Sequence, residues 1–282
     1  MQIASLRQQL IQRFANSDSA ALDADCLLCA VLSCTRTYLR TWPEQELTPE
    51  QVLQVEQLAC RREQGEPVAY ILGVREFWSL PLQVSPATLI PRPDTEALVE
   101  WALTLLSEKG QGQKALDLGT GTGAIALALK SELPALNMWA LEREPAALDL
   151  ARRNAARLGF SVNFLASDWF SALKERDFQL IVSNPPYIDA TDPHLSQGDV
   201  RFEPHTALVA DEDGLADIRQ IIDQAPDYLA PGGWLLLEHG WQQAEAVRNL
   251  LLARGFHAVI TRQDLGGQDR VSGGQWLGNV AE

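Results

Sequence analysis

The sequence lacks long hydrophobic runs. No stretch of about 18 consecutive apolar residues occurs, which argues against a membrane-spanning helix, and the first residues lack the apolar core of a secretory signal peptide. Cysteine is scarce, and Cys26, Cys29, Cys34 and Cys60 all lie in the first quarter of the chain. A secreted protein of this size more often distributes paired cysteines through its fold, so we expect reduced thiols and a cytoplasmic location.

Basic residues are also few. Lys and Arg total 23 against 37 Asp and Glu, which gives a formal net charge of −14. Proteins that bind nucleic acid usually carry a basic surface, because neutralising phosphates supplies much of their affinity. The charge balance therefore lowers the expectation of a DNA or RNA substrate. A hydrophobic content of 46% and a charged content of 21% exclude a disordered chain, and 282 residues allow one large domain or two.

Hydrophobic patterning divides the chain into three parts. Residues 1–72 have apolar residues at helical spacing and predict a small helical bundle. Residues 73–90 predict a β-hairpin linker. Residues 91–282 alternate between strands and helices, which predicts an α/β fold: a doubly wound, Rossmann-like parallel sheet covered by helices. Its predicted elements include strands Asn137–Glu142, Phe178–Ser183 and Trp234–Glu238, and helices Pro145–Leu158 and Leu215–Leu229.

Three groups of residues follow predicted strands of this sheet, where open α/β folds bind ligands. The segment Gly119-Thr120-Gly121-Thr122-Gly123 lies between a strand and a helix, and its glycines let the backbone approach a ligand. Glu142 ends the next strand, where a carboxylate can accept both hydroxyls of a ribose. Asp168 and Trp169 follow the third strand and suit an adenine. The alternatives are a glycine-rich turn without a ligand, a solvent-facing glutamate and a half-buried loop tryptophan.

The segment Asn184-Pro185-Pro186-Tyr187 directly follows an apolar strand and is the strongest signal. Each proline fixes φ and removes an N–H donor, so the loop is rigid and rich in acceptors. The Asn184 side-chain oxygen and the Pro185 carbonyl can accept both hydrogens of one planar NH₂ group, and Tyr187 can stack on that group. Such a loop indicates methyl transfer to an amide or exocyclic amine nitrogen. The alternative is a proline-rich turn of purely structural use.

Together these four groups resemble class I S-adenosyl-L-methionine-dependent methyltransferases of the Asn-Pro-Pro-Tyr type. By further segments, the chain is identified over essentially its whole length as a member of the bacterial release factor N5-glutamine methyltransferases (the HemK/PrmC type). The segments that narrow the resemblance are Val74-Arg75-Glu76-Phe77-Trp78, Pro91-Arg92-Pro93-Asp94-Thr95-Glu96, Arg201-Phe202-Glu203-Pro204 and Glu238-His239-Gly240.

The resemblance implies a reaction, a cofactor and a partner. The substrate is the glutamine of the Gly-Gly-Gln motif in class I peptide-chain release factors, and the product is N5-methylglutamine. S-adenosyl-L-methionine supplies the methyl group and leaves as S-adenosyl-L-homocysteine. The family implies that the helical domain helps to hold the release factor. We also expect a monomer without a metal site, a nucleic-acid partner or membrane contact.

The resemblance also implies roles by position. Gly119–Gly123 line the methionine part of the cofactor, Glu142 holds the ribose where the family often has Asp, and Asp168 and Trp169 lie near the adenine. Asn184 borders both cofactor and substrate. The substrate-binding loop is Asn184, Pro185, Pro186 and Tyr187, of which Asn184 and Pro185 bind the glutamine amide and Tyr187 packs on it. Arg92 and Thr95 belong to a family motif near the active site, without a role derived from the sequence.

Two other functions stay open as alternatives. An adenine-N6 methyltransferase acting on DNA or RNA could use the same loop, because adenine N6 is also a planar NH₂ group, although the net charge argues against it. A non-catalytic binding module is disfavoured because the glycine loop and Asn184 are both intact.

Two smaller features are interpreted as structural rather than functional. The first three cysteines have a metal-like spacing but are interpreted as helix-packing residues. Gly266-Gly267-Gln268 and Gly273-Gly274-Gln275 match the substrate tripeptide. They are interpreted as two glycine-rich turns around a final strand. The alternative hypothesis is that the enzyme methylates its own Gln268 or Gln275.

Overall fold

A computed structural model describes residues 1–107 and 112–278 of the chain. Its contacts divide into two units, Met1–Val74 with Pro193–Phe202 and Arg75–Asp192 with Glu203–Glu282. The first unit therefore includes a short segment from far along the sequence. Throughout the described ranges, each helix is too short or too polar to cross a bilayer.

Five α-helices and one apolar cluster form the first unit, which confirms the predicted helical bundle. The fourth helix begins at a capping box, in which the Thr48 hydroxyl accepts from the Gln51 N–H and the Gln51 side chain accepts from the Thr48 N–H. Leu6, Leu27 and Val55 are fully buried in the cluster between the helices. The helices are α1 (Ile3–Arg13), α2 (Ala20–Leu32), α3 (Arg36–Thr41), α4 (Pro49–Glu63) and α5 (Val68–Leu72).

Arg62 holds the inserted segment within this first unit. Its guanidinium is 9% exposed and donates to Asp23 Oδ2 at 2.8 Å and to Asp199 Oδ1 at 2.9 Å. Because removing one partner from a buried ion pair leaves an uncompensated charge, this contact fixes where the segment around Asp199 lies.

A two-stranded sheet begins the second unit. β1 (Val74–Phe77) and β2 (Leu80–Gln83) are joined by Trp78 and Ser79, which both have positive φ. Positive φ at both central residues is typical of the tight turns whose twist matches that of a hairpin.

A seven-stranded sheet forms the centre of the second unit, in the order β5-β4-β3-β6-β7-β9-β8. All neighbouring strands pair in parallel except β9, which is antiparallel to both β7 and β8. This topology confirms the α/β, doubly wound prediction. The strands are β3 (Lys114–Leu118), β4 (Asn137–Glu142), β5 (Asn163–Ala166), β6 (Phe178–Ser183), β7 (Leu229–Glu238), β8 (His257–Gln263) and β9 (Asp269–Trp276).

Helices cover both faces of this sheet because its central strands are apolar on both sides. On β6, Val182 belongs to a cluster with helices on one face, and Ile181 belongs to a second cluster on the other. The α-helices are α6 (Glu96–Ser107), α7 (Ala124–Glu132), α8 (Pro145–Leu158), α9 (Asp211–Gly214), α10 (Ala216–Gln224) and α11 (Ala244–Arg254). Short 3₁₀ turns lie at Pro93–Thr95, Pro193–Ser196, Val200–Phe202, His205–Ala207 and Ala225–Asp227.

Two predictions about the last third of the chain are wrong. The helix predicted to reach Leu229 ends at Gln224 and gives way to a 3₁₀ turn, because Pro226 lacks the N–H that would continue the helical hydrogen bonds. Leu229 instead begins β7, which therefore starts five residues before the predicted Trp234.

The second tripeptide that resembles the substrate is not a turn. Gly273–Gln275 lie inside β9 and pair with β7 on one side and with β8 on the other. A Cβ on Gly273 would lie 2.4 Å from Leu236 Cδ2 and 2.7 Å from the Leu235 carbonyl oxygen. Glycine is therefore required here by close packing across the sheet rather than by a turn.

Candidate active site

A deep cavity of the second unit lies at the carboxyl ends of β3, β4, β5 and β6. It encloses about 940 Å³, including its open mouth. Ligand pockets typically occupy this volume and this edge of an α/β sheet. The cavity brings together most of the residues singled out from the sequence, which are Gly119, Thr120, Gly121, Thr122, Glu142, Asp168, Trp169, Asn184 and Pro186.

The glycine loop forms the floor of the cavity. Gly119 has a φ of +69°, and a Cβ there would lie 3.3 Å from the Trp169 ring. A Cβ on Gly121, whose φ is +55°, would meet no atom within 4 Å. Because Gly119 and Gly121 have no side chains, space remains beside the indole ring and next to the loop backbone, where an elongated ligand can bind. Gly123 does not line the cavity and serves as the N-cap of α7.

Asp117 supports the loop from below. Its side chain is fully buried, and its Oδ2 accepts a hydrogen bond from the Thr120 hydroxyl. Burial raises the pKa of Asp117 to about 7, although hydrogen bonds from Thr120 and from the Ala126 N–H act in the opposite direction. The loop therefore rests on a carboxyl group whose ionisation burial disfavours.

Glu142 is held in one orientation by two backbone donors. Its Oε2 accepts from the Gly121 N–H at 2.9 Å, and its Oε1 accepts from the Glu144 N–H at 3.0 Å. The residue is 8% exposed and lines the cavity. Each carboxylate oxygen has a further lone pair, so the group can accept two more hydrogen bonds from a ligand.

Trp169 forms a wall of the cavity in a strained conformation. Its φ is +44°, and its indole Nε1 donates to Asp217 Oδ1 at 3.2 Å. A non-glycine residue in this region costs about 1–2 kcal/mol, so the surrounding contacts must hold the ring in place. Asp168 lies beside it on the lining of the same cavity.

The loop after β6 carries the predicted acceptor. Asn184 lines the cavity, and its Nδ2 donates to Thr95 Oγ1 at 3.3 Å. Because the NH₂ end of the amide faces Thr95, the oxygen end is free to face a substrate. Pro185 and Pro186 are both buried, and of the two Pro186 lines the cavity.

Tyr187 lies behind the cavity rather than in its lining. Its ring packs against one of the two apolar clusters of the sheet, and its hydroxyl donates to Glu238 Oε1 at 3.3 Å. Burial and the nearby Glu238 raise the pKa of Tyr187 well above its usual value, so the phenol stays neutral and remains a donor. Stacking of this ring on a substrate amide stays a prediction.

Residues of the quoted family segments complete the site, although the sequence assigned them no role. Glu203 has a fully buried side chain that accepts from the Ile90 N–H at 3.0 Å and from Arg92 Nη2 at 2.5 Å. Arg92 and Thr95 line the cavity, and Thr95 contacts Asn184. Arg92 and Glu203, and Thr95 and Asn184, are far apart in the sequence, so local patterns could not predict that they are in contact. The family segments that contain them were the available signal.

Metal-binding geometry is absent from the described ranges, in which no three His, Cys, Asp or Glu side chains are grouped to hold an ion. The four cysteines, which all lie within residues 1–107, form no disulfide with one another. Burial and the neighbouring Cys34 raise the pKa of Cys29 to about 12, which makes this thiol unreactive at neutral pH.

Comparisons with known proteins agree with this geometry. Residues 5–73 match the PrmC N-terminal domain family, and residues 95–199 match the Methyltransferase small domain family. The chain is 58% identical to a release factor glutamine methyltransferase of Yersinia pestis, over 94% of this chain and 95% of that one. It is 55% identical to the enzyme of the same name in Escherichia coli K12, over 95% of this chain and 97% of that one.

A solved structure shares the fold alone. It is the Thermus thermophilus 16S rRNA N2 G1207 methyltransferase in complex with AdoMet and guanosine, with a TM-score of 0.51 and 20% identity. The match covers 72% of this chain and 49% of that one.

Proposed function

The chain belongs to the family of release factor glutamine methyltransferases, and from this premise we propose that it methylates the Gly-Gly-Gln glutamine of class I peptide-chain release factors. The methyl group is transferred from S-adenosyl-L-methionine to the side-chain amide nitrogen N5. Family membership confirms the resemblance identified from the sequence and the prediction that the chain is an enzyme. The observation that carries the proposed chemistry is the Asn184 amide, held by Thr95 with its oxygen free to accept from an NH₂ group.

The cavity fits the proposed cofactor. A nucleoside presents ribose hydroxyls as donors, and Glu142 offers a fixed carboxylate with acceptor capacity on both oxygens. The space that the glycines leave beside Trp169 suits the flat and extended parts of the molecule. We assign Gly119–Thr122 to the methionine part, with Gly123 outside the cavity as the N-cap of α7, Glu142 to the ribose, and Asp168 with Trp169 to the adenine. When bound, S-adenosyl-L-methionine supplies an electrophilic methyl group on a sulfonium.

The substrate end of the cavity activates a poor nucleophile. An amide nitrogen is weakly nucleophilic because its lone pair is delocalised into the carbonyl. Asn184 Oδ1 accepts one of its two hydrogens, which raises electron density on nitrogen and aims the lone pair at the methyl group. The Pro185 carbonyl stays the predicted acceptor for the other hydrogen, although Pro185 lies outside the cavity lining. Much of the rate then comes from positioning the two reactants. The nitrogen becomes acidic once it forms the new N–C bond, so water can take the proton.

We further propose that the helical bundle at residues 1–72 binds the release factor, with residues 73–90 as the linker and residues 91–282 as the catalytic domain. The net charge of −14 suits a partner with a basic surface. The enzyme is expected to act as a monomer in the cytoplasm.

Labelled methyl transfer tests this function directly. The purified chain is incubated with methyl-labelled cofactor and a class I release factor, with parallel reactions that contain the Gln→Ala variant of the tripeptide or duplex DNA. We expect label on the unaltered factor alone. Label on DNA with the factor blank would overturn the substrate assignment in favour of adenine-N6 methylation.

A substitution at the acceptor tests the mechanism. Asn184→Ala is expected to lower turnover by about 10²–10³-fold. This is the loss typically caused by removing one fixed polar contact to a reacting group. Near-normal turnover in this variant would remove Asn184 from the mechanism.

A further inference from the structure

The substrate-binding loop Asn184–Tyr187 is poor in donors that could anchor it. Its two prolines have no N–H, so their backbone takes part in hydrogen bonds only as an acceptor. The start of the loop follows β6, where the Ser183 hydroxyl donates to the Leu118 carbonyl oxygen at 2.7 Å and ties the strand end to β3. The end of the loop presents the carbonyl oxygen of its last residue, which a donor from another element can hold.

Gln243 supplies that donor. It lies between β7 and α11 and is the N-cap residue of the helix. Its Nε2 donates to the Tyr187 carbonyl oxygen at 3.0 Å and to the Asp213 carbonyl oxygen at 3.0 Å. Its Oε1 accepts from the Gly240 N–H at 2.9 Å. One donor and two acceptors surround the amide, so this is the orientation that satisfies all three partners.

The second carbonyl that Gln243 contacts belongs to a strained turn. Glu212, Asp213 and Gly214 have φ values of +56°, +56° and +82°. Each of the two non-glycine residues costs about 1–2 kcal/mol in this left-handed region, so the surrounding contacts must hold the turn in place. A Cβ on Gly214 would lie 2.1 Å from the Tyr187 carbonyl oxygen, so the turn and the substrate-binding loop are in close contact.

The oxygen end of the Gln243 amide contacts a backbone that is itself fixed. His239 is fully buried, and its Nδ1 lies 2.8 Å from the Gly240 carbonyl oxygen while its Nε2 lies 2.7 Å from Ser272 Oγ. Because a carbonyl oxygen can only accept, His239 Nδ1 donates to Gly240. The Gln243 N–H donates to the same oxygen at 2.9 Å. Gly240 is thus held through its carbonyl and presents its N–H to the Gln243 side chain.

We propose that Gln243 is a positioning residue that fixes the substrate-binding loop by joining the Tyr187 backbone to the turn Glu212–Gly214. This role rests on the proposed function, in which the loop holds the glutamine amide of the release factor. Gln243 does not line the cavity, and it acts on Asn184 through the rigid prolines between Asn184 and Tyr187. Misplacing the reacting groups by about 1 Å can lower turnover about 10²-fold, so a contact behind the loop affects the rate.

The isosteric variant Gln243→Glu removes both donations and keeps the shape of the side chain. One carboxylate oxygen then faces the carbonyl oxygens of Tyr187 and Asp213, while the other can still accept from Gly240. We expect kcat for release factor methylation to fall about 10- to 100-fold. KM for the release factor and Kd for the cofactor should change less than about twofold, because Gln243 touches neither ligand. The number of cofactor molecules bound per chain should equal that of the unaltered enzyme.

Two further variants complete the experiment. Gln242→Glu is the matched control, because it makes the same change at the neighbouring exposed position, and it should leave kcat unchanged. Gln243→Met removes the donors without adding a charge and tests the role independently if Gln243→Glu is unstable. We expect Gln243→Met to lower kcat less than Gln243→Glu, since the two carbonyl oxygens lose a donor but do not face a negative charge.

The possible outcomes separate this role from the proposed function. If the unaltered enzyme methylates the release factor while both Gln243 variants keep its kcat, the positioning role is wrong and the function stands. A raised KM at unchanged kcat would also overturn the role, as would a fall in kcat that only matches a loss of cofactor sites per chain. If the unaltered enzyme binds cofactor but labels no release factor, the proposed function fails and the positioning role fails with it.

Discussion

The substitution Glu142→Gln tests how the cavity recognises a nucleoside. The carboxylate accepts from the Gly121 N–H at 2.9 Å and from the Glu144 N–H at 3.0 Å. An amide has only one oxygen, so in the variant one of these N–H groups faces an NH₂ group and loses its acceptor. Leaving a buried donor unsatisfied costs about 1–3 kcal/mol, so we expect the free energy of unfolding to fall by that amount.

The same change removes an acceptor for the ribose. A hydrogen bond to a charged group contributes about 1.5–3 kcal/mol, and each 1.4 kcal/mol corresponds to about tenfold in affinity. Losing one such bond therefore predicts that Kd for S-adenosyl-L-methionine rises about 10- to 150-fold. Isothermal titration calorimetry measures this Kd, and thermal denaturation without ligand separates it from loss of fold.

A matched substitution provides the control for Glu142→Gln. Glu100→Gln, at an exposed position on α6, should leave both the Kd and the melting temperature unchanged. A folded Glu142→Gln protein that binds the cofactor as tightly as the unaltered chain would refute the ribose assignment. A tenfold weaker affinity for a 2′-deoxy analogue, seen only with Glu142 present, would support it.

Three further predictions concern packing and the tripeptides. Gly214→Ala should destabilise the fold by at least about 1–2 kcal/mol and lower turnover. The reason is that Gly214 has a φ of +82° and that a Cβ there would lie 2.1 Å from the Tyr187 carbonyl oxygen. Urea denaturation measures the loss of stability. Arg92→Met should cost on the order of 3 kcal/mol in the same assay, since it leaves the buried Glu203 without its counter-charge. Peptide mass mapping after long incubation with cofactor should find Gln275 unmethylated, because its tripeptide is held within β9.

Much of this fold could be predicted because local pattern and tertiary environment agree. The strands Asn137–Glu142 and Phe178–Ser183 and the helix Pro145–Leu158 have the predicted bounds. Each strand is an apolar run of a buried parallel sheet, and the helix begins at proline and ends before glycine. Residues at the ends of such strands meet at one edge of the sheet, which is why Glu142 and Asn184 were expected in one cavity.

The errors come from residues whose role depends on distant partners. Gly273 resembles a turn glycine locally, but the close approach of Leu236 and Leu235 from β7 makes it a strand glycine. Pro226 could have ended the predicted helix earlier, since it has no N–H to continue the helical hydrogen bonds. The apolar residues Leu229 and Trp234 beyond it belong to β7 rather than to a helix face.

The cavity's chemistry depends on hydrogen-bond direction, which residue types alone do not specify. Glu142 accepts from the Gly121 and Glu144 N–H groups and keeps acceptor capacity on both oxygens. The Asn184 amide donates to Thr95 through its nitrogen, which leaves its oxygen as an acceptor. Ribose hydroxyls and an amide NH₂ group are both donors. The preference of the site for these ligands therefore follows from the acceptor atoms that Glu142 and Asn184 leave available to the cavity.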